Sequence, residues 1–118
     1  MAISHVLGYP RIGPNRELKK AVEEYWAAKA DRPQLLHRTS QVRDANWRVQ
    51  RQRGLDLVAC NDFSLYDHVL DAVCMVGAVP QRFGYQGGPI DMDLYFAMAR
   101  GRQDAVAMEM TKWFDTNY

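Results

Sequence analysis

The sequence has few of the features that mark secreted or membrane proteins. It contains two cysteines in 118 residues, without a CxxC pair, which excludes a disulfide-dense scaffold. No uncharged run approaches the ~18 residues that a membrane span requires. The N-terminus lacks the basic and apolar regions of a signal peptide. We therefore expect a cytoplasmic protein that binds no membrane and whose two thiols are reduced and buried.

The short motifs of common enzyme classes are also missing. The three histidines, His5, His37 and His68, lie far apart, and no ligand spacing typical of zinc appears. There is no GxGxxG, Walker A or GxSxG pattern. The sequence therefore predicts no metal site and no catalytic residue. With 47% hydrophobic and 25% charged residues, it is typical of one globular domain.

Charge is unevenly distributed along the chain, although the net charge is only +1. Residues 10–53 hold eleven basic and five acidic side chains, and residues 54–118 hold four and nine. Such an asymmetry is consistent with two halves that face each other, or with an anionic ligand on the basic half. The overall balance gives no reason to expect nucleic acid as a partner.

Hydrophobic periodicity and breaker residues predict an α/β fold. Strands that alternate with helices favour a parallel sheet of about three strands with four helices, whose ligands collect in the loops after the strands. The loops that follow Leu7 and Ala59 are therefore the first places to search. The predicted elements are strands at 3–7, 55–59 and 108–118, and helices at 16–30, 31–53, 64–77 and 91–101, with Asn15, Asp31, Ser64 and Asp91 as N-caps.

A cluster of cations marks the start of the first predicted helix. A loop rich in glycine and proline precedes it, and free backbone N–H groups at a helix N-terminus attract anions. Arg16, Lys19 and Lys20 share one face at i, i+3 and i+4, and Arg11 lies just before them. This pattern indicates a carboxylate or phosphate site. A solvated basic helix end is the alternative interpretation.

Three separated segments resemble one known family. Residues 8–13 read Gly-Tyr-Pro-Arg-Ile-Gly and are followed by Arg-Glu-Leu-Lys-Lys at 16–20 and Tyr-Trp at 25–26. Residues 61–71 and 109–118 also match, in the family's order. Over its whole length the chain resembles cobalamin-independent methionine synthase. This family transfers the methyl group of a methyltetrahydrofolate polyglutamate to homocysteine.

The resemblance implies a fold, a cofactor and a binding role. Family members are several times longer and consist of two (β/α)₈ barrels. Residues 1–118 would be the first part of the N-terminal folate-binding barrel, not closed within this chain. The catalytic zinc domain, with its metal ligands, would be absent, so that this chain alone would be inactive. No cobalamin is implied. The folate polyglutamate contacts fall on Arg16, Glu17, Leu18, Lys19 and Lys112.

Two further expectations follow from the predicted elements. The helix at 31–53 carries many arginines, so a non-enzymatic module that binds RNA or an acidic protein through it is the rival hypothesis. Few aromatic residues accompany those arginines, and no nucleic-acid motif is present, which counts against it. In addition, the edges of an unclosed barrel would be unpaired. We expect them to favour self-association of the fragment.

Overall fold

The computed structural model describes residues 1–108 of the chain. It divides the chain into two units, Met1–Leu65 and a second that begins at Tyr66. Each unit is built around helices that the sequence encodes through local capping and apolar spacing. Within residues 1–108 the helices are α1 (Glu17–Trp26), α2 (Arg32–Gln52), α3 (His68–Val76) and α4 (Met92–Arg100), and a 3₁₀ turn lies at Gln81–Phe83.

In the first unit, α1 packs against α2. Leu18, Ala21 and Val22 are the buried face of α1, which ends earlier than predicted because Ala28 adopts a positive φ of 55°. Burial of this apolar face is the main source of stability for a helix of ten residues, which would be marginal alone. Leu35 is the corresponding fully buried residue on α2.

The start of α2 confirms the predicted cap. The Asp31 carboxylate accepts the backbone N–H of Gln34 at 2.9 Å, and the Gln34 side chain accepts the N–H of Asp31 at 2.9 Å. This reciprocal capping box satisfies two N–H groups that the helix leaves unpaired. The helix ends before Gly54, whose φ of 82° favours glycine. The predicted helix at 31–53 is therefore confirmed.

The predicted fold class is wrong. Residues 1–108 contain no strand, and their only β-type pairing is an isolated bridge between Arg102 and Ala105. The segments 3–7 and 55–59 do meet, but the Asp56 carboxylate accepts the N–H of Ser4 at 2.8 Å, and no run of backbone pairs follows. Leu7 is 94% exposed and Leu57 is 56% exposed. Parallel strands are buried on both faces, so these apolar residues lack the cover that a parallel sheet needs.

The absence of a sheet in residues 1–108 also affects the predicted barrel and the predicted self-association. An α/β fold with about three parallel strands, and with it the unclosed TIM-like barrel, is not what residues 1–108 adopt. The third predicted strand begins at Met108, and its remaining residues lie outside the described part. Self-association through open strand edges loses its basis in residues 1–108, and the self-association itself stays an untested prediction.

The second unit holds α3, α4 and the 3₁₀ turn. Asp67, not the predicted Ser64, caps α3 by accepting the N–H of Leu70 at 3.0 Å, and Gly77 ends the helix in the left-handed region as predicted. Asp91 caps α4 as predicted, accepting the N–H of Leu94 at 2.8 Å. Among the residues of this unit that the structure describes, the buried apolar ones are Leu70, Phe83, Phe96, Met98, Ala99 and Ala105.

The cysteines and the helices bear on two expectations drawn from the sequence. Both cysteines are free, but Cys60 is exposed and Cys74 is only partly buried, so the prediction of two buried thiols is wrong. Among the described helices, none combines the length and the apolar character that crossing a membrane would demand.

Candidate functional site

Two of the family-like segments come together in the first unit. The Asp62 carboxylate accepts the backbone N–H of Tyr9 at 2.7 Å, although the two residues are 53 positions apart. The Arg11 guanidinium donates to the carbonyl of Ser64 at 3.4 Å. The loops after Leu7 and Ala59, singled out in the sequence, are thus in direct contact.

Close approach explains the glycine at position 8. A Cβ added to Gly8 would lie 2.8 Å from the Cβ of Asp62, closer than side chains tolerate. The loop at 8–13 is also attached to α2, because the buried Asn46 amide donates to the carbonyl of Pro10 at 3.2 Å. This loop is therefore held from two sides, by Asp62 and by Asn46.

The loop leads directly into the N-terminus of α1. The carbonyl of Ile12 accepts the N–H of Leu18 at 3.0 Å, and the carbonyl of Gly13 accepts the N–H of Arg16 at 3.1 Å. Gly13 has a φ of 86°, and a Cβ there would lie 2.2 Å from a carboxylate oxygen of Glu17. The positive φ favours glycine at this position, and a Cβ there would also require the Glu17 carboxylate to move.

Arg16 adopts a backbone conformation that arginine rarely accepts. Its φ and ψ are 62° and 36°, in the left-handed region, where an L-residue brings its Cβ close to the following carbonyl. The side chain is exposed, and among residues 1–108 we find no ion pair to it. An exposed guanidinium thus stands at the start of α1 on a strained backbone.

The Glu17 carboxylate closes the turn that contains Arg16. It accepts the backbone N–H of Asn15 at 3.0 Å and the Asn15 amide at 3.1 Å, so the predicted role of Asn15 as N-cap is wrong. The pKa of the Glu17 carboxyl lies below its ordinary value. The largest cause is its own backbone N–H, followed by the two Asn15 donors and the nearby Lys20 ammonium, and burial opposes their combined effect.

The remaining predicted residues differ in what they offer a ligand. Leu18 is 0% exposed, so it contributes packing and its backbone, and no side-chain contact. The Lys19 ammonium lies 3.6 Å from the Glu23 carboxylate with 40% of the side chain exposed. Lys20 lines a groove of about 380 Å³ between α1 and α2. Lys112 lies outside the described residues.

This geometry changes how the site would hold an anion. The sequence predicts free backbone N–H groups at the helix N-terminus, but the first-turn N–H of Leu18 is bonded to the carbonyl of Ile12. Side-chain cations would therefore supply much of the attraction. Within residues 1–108, no three His, Cys, Asp or Glu side chains come together to hold a metal ion.

The arginine-rich helix offers less than the rival hypothesis requires. Arg38 forms an ion pair with Glu24 of α1. Arg43 lies 4.0 Å from Asp44 and stacks over the Trp47 ring, with the guanidinium carbon 5.2 Å from its centroid. These two arginines already make contacts within the unit, which a ligand would have to replace, whereas Arg48, Arg51 and Arg53 are exposed.

Comparison with known proteins identifies the family. The family model described as "Cobalamin-independent synthase, N-terminal domain" matches residues 3–118. The chain therefore belongs to the cobalamin-independent synthase family, as the resemblance of its three segments indicated.

Curated relatives carry one enzyme name, 5-methyltetrahydropteroyltriglutamate–homocysteine methyltransferase. The relative from Acidithiobacillus ferrooxidans is 55% identical over 118 residues, which are 100% of this chain and 15% of the relative. That from Nitrosomonas europaea is 56% identical over 116 residues, 98% of this chain and 15% of the relative. That from Parvibaculum lavamentivorans is 55% identical over 122 aligned positions, covering 100% and 16%. The chain thus spans about 15% of the length of these relatives.

Sequence reasoning missed two residues of this site. Asp62 belongs to the matched segment 61–71, yet nothing in the sequence tells that its carboxylate bonds to Tyr9. Asn46 appears as one polar residue on a long surface helix, and its contact with Pro10 spans 36 positions. The close spacing of Gly8 and Gly13 was the only local signal that this loop approaches other groups.

Proposed function

We propose that the chain is the first part of an enzyme that transfers a methyl group from 5-methyltetrahydropteroyltriglutamate to homocysteine, without cobalamin. Its own task would be to bind the triglutamate tail of the methyl donor. Family membership and the enzyme name of relatives that are 55% identical over the whole chain support the reaction. A cytoplasmic location and a zinc ion held by residues outside 1–108 belong to the same proposal, and we derive no step through that ion.

The observation that carries the binding role is the conformation of Arg16. Glycine or asparagine would adopt φ 62° at lower cost, yet the position holds an exposed cation. A strained residue that persists where an easier one would fit points to a functional demand on its side chain. A guanidinium presents a fork of donors that matches a carboxylate. The glutamate tail supplies several carboxylates.

Lys19 would be the second cation of the site. Its pair with Glu23 is an exposed i,i+4 contact, and such pairs contribute only roughly 0.3–0.5 kcal/mol. A tail carboxylate can therefore replace Glu23 at small cost. Lysine is a flexible point charge, which suits a mobile anionic chain. Lys112 is proposed as a third cation on the basis of the family resemblance.

Glu17 and Leu18 would position these cations without contacting the tail by their side-chain charge. The Glu17 carboxylate is negatively charged and would not attract an incoming carboxylate. Its oxygens accept N–H groups from Asn15, which fixes the turn around Arg16. Leu18 anchors the first turn of α1 in the apolar contact with α2.

The test uses the full-length protein that carries this chain. Lys19→Met and Lys112→Met keep most of the apolar stem and remove the charge. Each should weaken the tail contact by roughly 1–2 kcal/mol, or about 5- to 30-fold, as an increase in KM for the triglutamate donor with kcat largely unchanged. The effect should shrink at high salt, and a donor with one glutamate should show a much smaller change.

Lys29→Met is the matched control. Lys29 is an exposed lysine that follows α1, so its replacement changes net charge equally and should leave both KM values unaltered. If the Lys19 and Lys112 variants lost turnover equally with long and short tails, these lysines would serve the fold or the chemistry, and the binding role would be refuted.

A further inference from the structure

We propose that Asp62 is a positioning residue for the tail-binding site, acting through the loop at 8–13 and not by contact with the ligand. The inference rests on the proposed function and adds to it a residue that lies 46 positions after Arg16 in the sequence. The hydrogen bond from Tyr9 to Asp62 sets the conformation from which Arg16 and Lys19 project.

Asp62 is in direct contact with the start of the loop at 8–13. The carboxylate of Asp62 accepts the N–H of Tyr9 at 2.7 Å, which is short for an N–H to oxygen bond and typical of a charged acceptor. The absence of a side chain on Gly8 permits this approach, because a Cβ at that position would lie 2.8 Å from the Cβ of Asp62. The contact therefore depends on both partners.

Hydrogen bonds connect the segment after Tyr9 to α1. Pro10 follows Tyr9 and is held by the Asn46 amide at 3.2 Å. Ile12 and Gly13 then use their carbonyl groups to bond the N–H groups of Leu18 and Arg16, at 3.0 and 3.1 Å. The loop is thus fixed at its start by Asp62 and at its end by the first turn of α1.

The strain lies in the backbone of Arg16. The left-handed conformation of Arg16 is maintained only if its surroundings impose it. The carbonyl of Gly13 that bonds the N–H of Arg16 belongs to the loop that Asp62 and Asn46 hold. Releasing the start of this loop lets Gly13 and Arg16 relax toward ordinary conformations, and the guanidinium then leaves the position in which it meets a tail carboxylate.

The experiment compares Asp62→Ala and Asp62→Asn in the full-length protein, with donors that carry three glutamates or one. Asp62→Ala removes the acceptor, whereas Asp62→Asn keeps an oxygen that can accept the N–H of Tyr9 and removes only the charge. We expect Asp62→Ala to raise KM for the triglutamate donor about 10-fold with kcat within about twofold, and Asp62→Asn to restore KM to within about threefold of wild type.

Asp56→Ala is the matched control. Asp56 is also a carboxylate that accepts a backbone N–H from the N-terminal segment, that of Ser4 at 2.8 Å, but none of its contacts involves the loop at 8–13. Its replacement should leave the ratio of the two KM values at the wild-type level. The donor with one glutamate serves as the folding control, since unchanged turnover with it shows that a variant is intact.

The outcomes separate this inference from the proposed function. A triglutamate KM that Asp62→Ala leaves unchanged would overturn it, as would equal losses with both donors or an Asp62→Asn variant as impaired as Asp62→Ala. If Lys19→Met discriminates between the donors and Asp62→Ala does not, only the positioning role fails. If neither discriminates, the tail-binding function fails with it.

Discussion

Replacing Arg16 separates the cost of its conformation from the use of its side chain. Two variants remove the guanidinium equally: Arg16→Ala keeps a Cβ at φ 62°, and Arg16→Gly does not. A left-handed L-residue costs roughly 1–2 kcal/mol, and the extra freedom of glycine in the unfolded chain costs about 0.5–1 kcal/mol. Arg16→Gly should therefore be more stable than Arg16→Ala by about 0.5–1 kcal/mol.

Urea unfolding of the chain, followed by circular dichroism, measures this difference. Lys20 provides the matched control, because it is an exposed residue within α1. There the order must reverse, with Lys20→Gly less stable than Lys20→Ala by about 1 kcal/mol. If Arg16→Ala proved as stable as Arg16→Gly, the assignment of a strained backbone at Arg16 would be wrong.

The same two variants test the function of the side chain. Both lack the cation, so both should raise KM for the triglutamate donor in the full-length protein by about 5- to 30-fold, as for one charge-assisted contact. For Arg16→Gly, the strain on the backbone is relieved while the affinity for the triglutamate donor falls, which is the expected trade-off at a strained functional residue. A wild-type KM in either variant would show that the guanidinium makes no contact with the tail.

Two further predictions concern the fold of the first unit. Asp31→Ala should lower the free energy of unfolding by about 1 kcal/mol because it removes the α2 capping box. Asp31→Asn should keep most of the stability that the cap provides. Equal urea midpoints for the wild type and both variants would contradict this. The N–H of Ser4, then its hydroxyl, hold the pKa of the Asp56 carboxyl below its ordinary value. The resulting stability is present above pH ~4 and is lost as the pH falls through the lowered pKa. Urea midpoints of Asp56→Asn should accordingly depend less on pH below ~4, and parallel pH profiles would refute the assignment.

Local chemistry made the helices predictable. The capping box at Asp31 and Gln34 and the stop at Gly77 depend on residues at most a few positions apart, and such contacts are encoded in short stretches. Where two good caps lay close together, the sequence could not choose between them. Ser64 and Asp67 both cap helices well, but Ser64 is buried and its carbonyl is bonded to Arg11.

Non-local contacts decide why the two strands predicted at 3–7 and 55–59 are wrong. Residues 3–7 and 55–59 have the apolar composition of buried strands, but composition does not show whether neighbouring strands exist to cover them. The N–H of Ser4 donates to the Asp56 carboxylate and not to a backbone carbonyl, and the N–H groups of Asp56 and Leu57 both donate to the one carbonyl of Ser4. A strand prediction takes no account of such a side-chain acceptor.

The tail-binding role of residues 16–20 stays a prediction, which rests on cations that can be read from the sequence. The left-handed Arg16 could not be read in the same way, since Gly13, Pro14 and Asn15 all favour a turn without indicating which residue takes a positive φ. The bond from Tyr9 to Asp62 spans 53 positions, which no local pattern encodes.

Calorimetric titration of the full-length protein with the methyl donor tests the central claim most directly. Wild-type protein should bind the donor with three glutamates more tightly than the donor with one. In the variant that combines Arg16→Gln, Lys19→Met and Lys112→Met, this difference should nearly vanish while the affinity for the shorter donor is retained. A variant that still prefers the triglutamate donor as strongly as wild type would contradict the claim that this segment binds the tail.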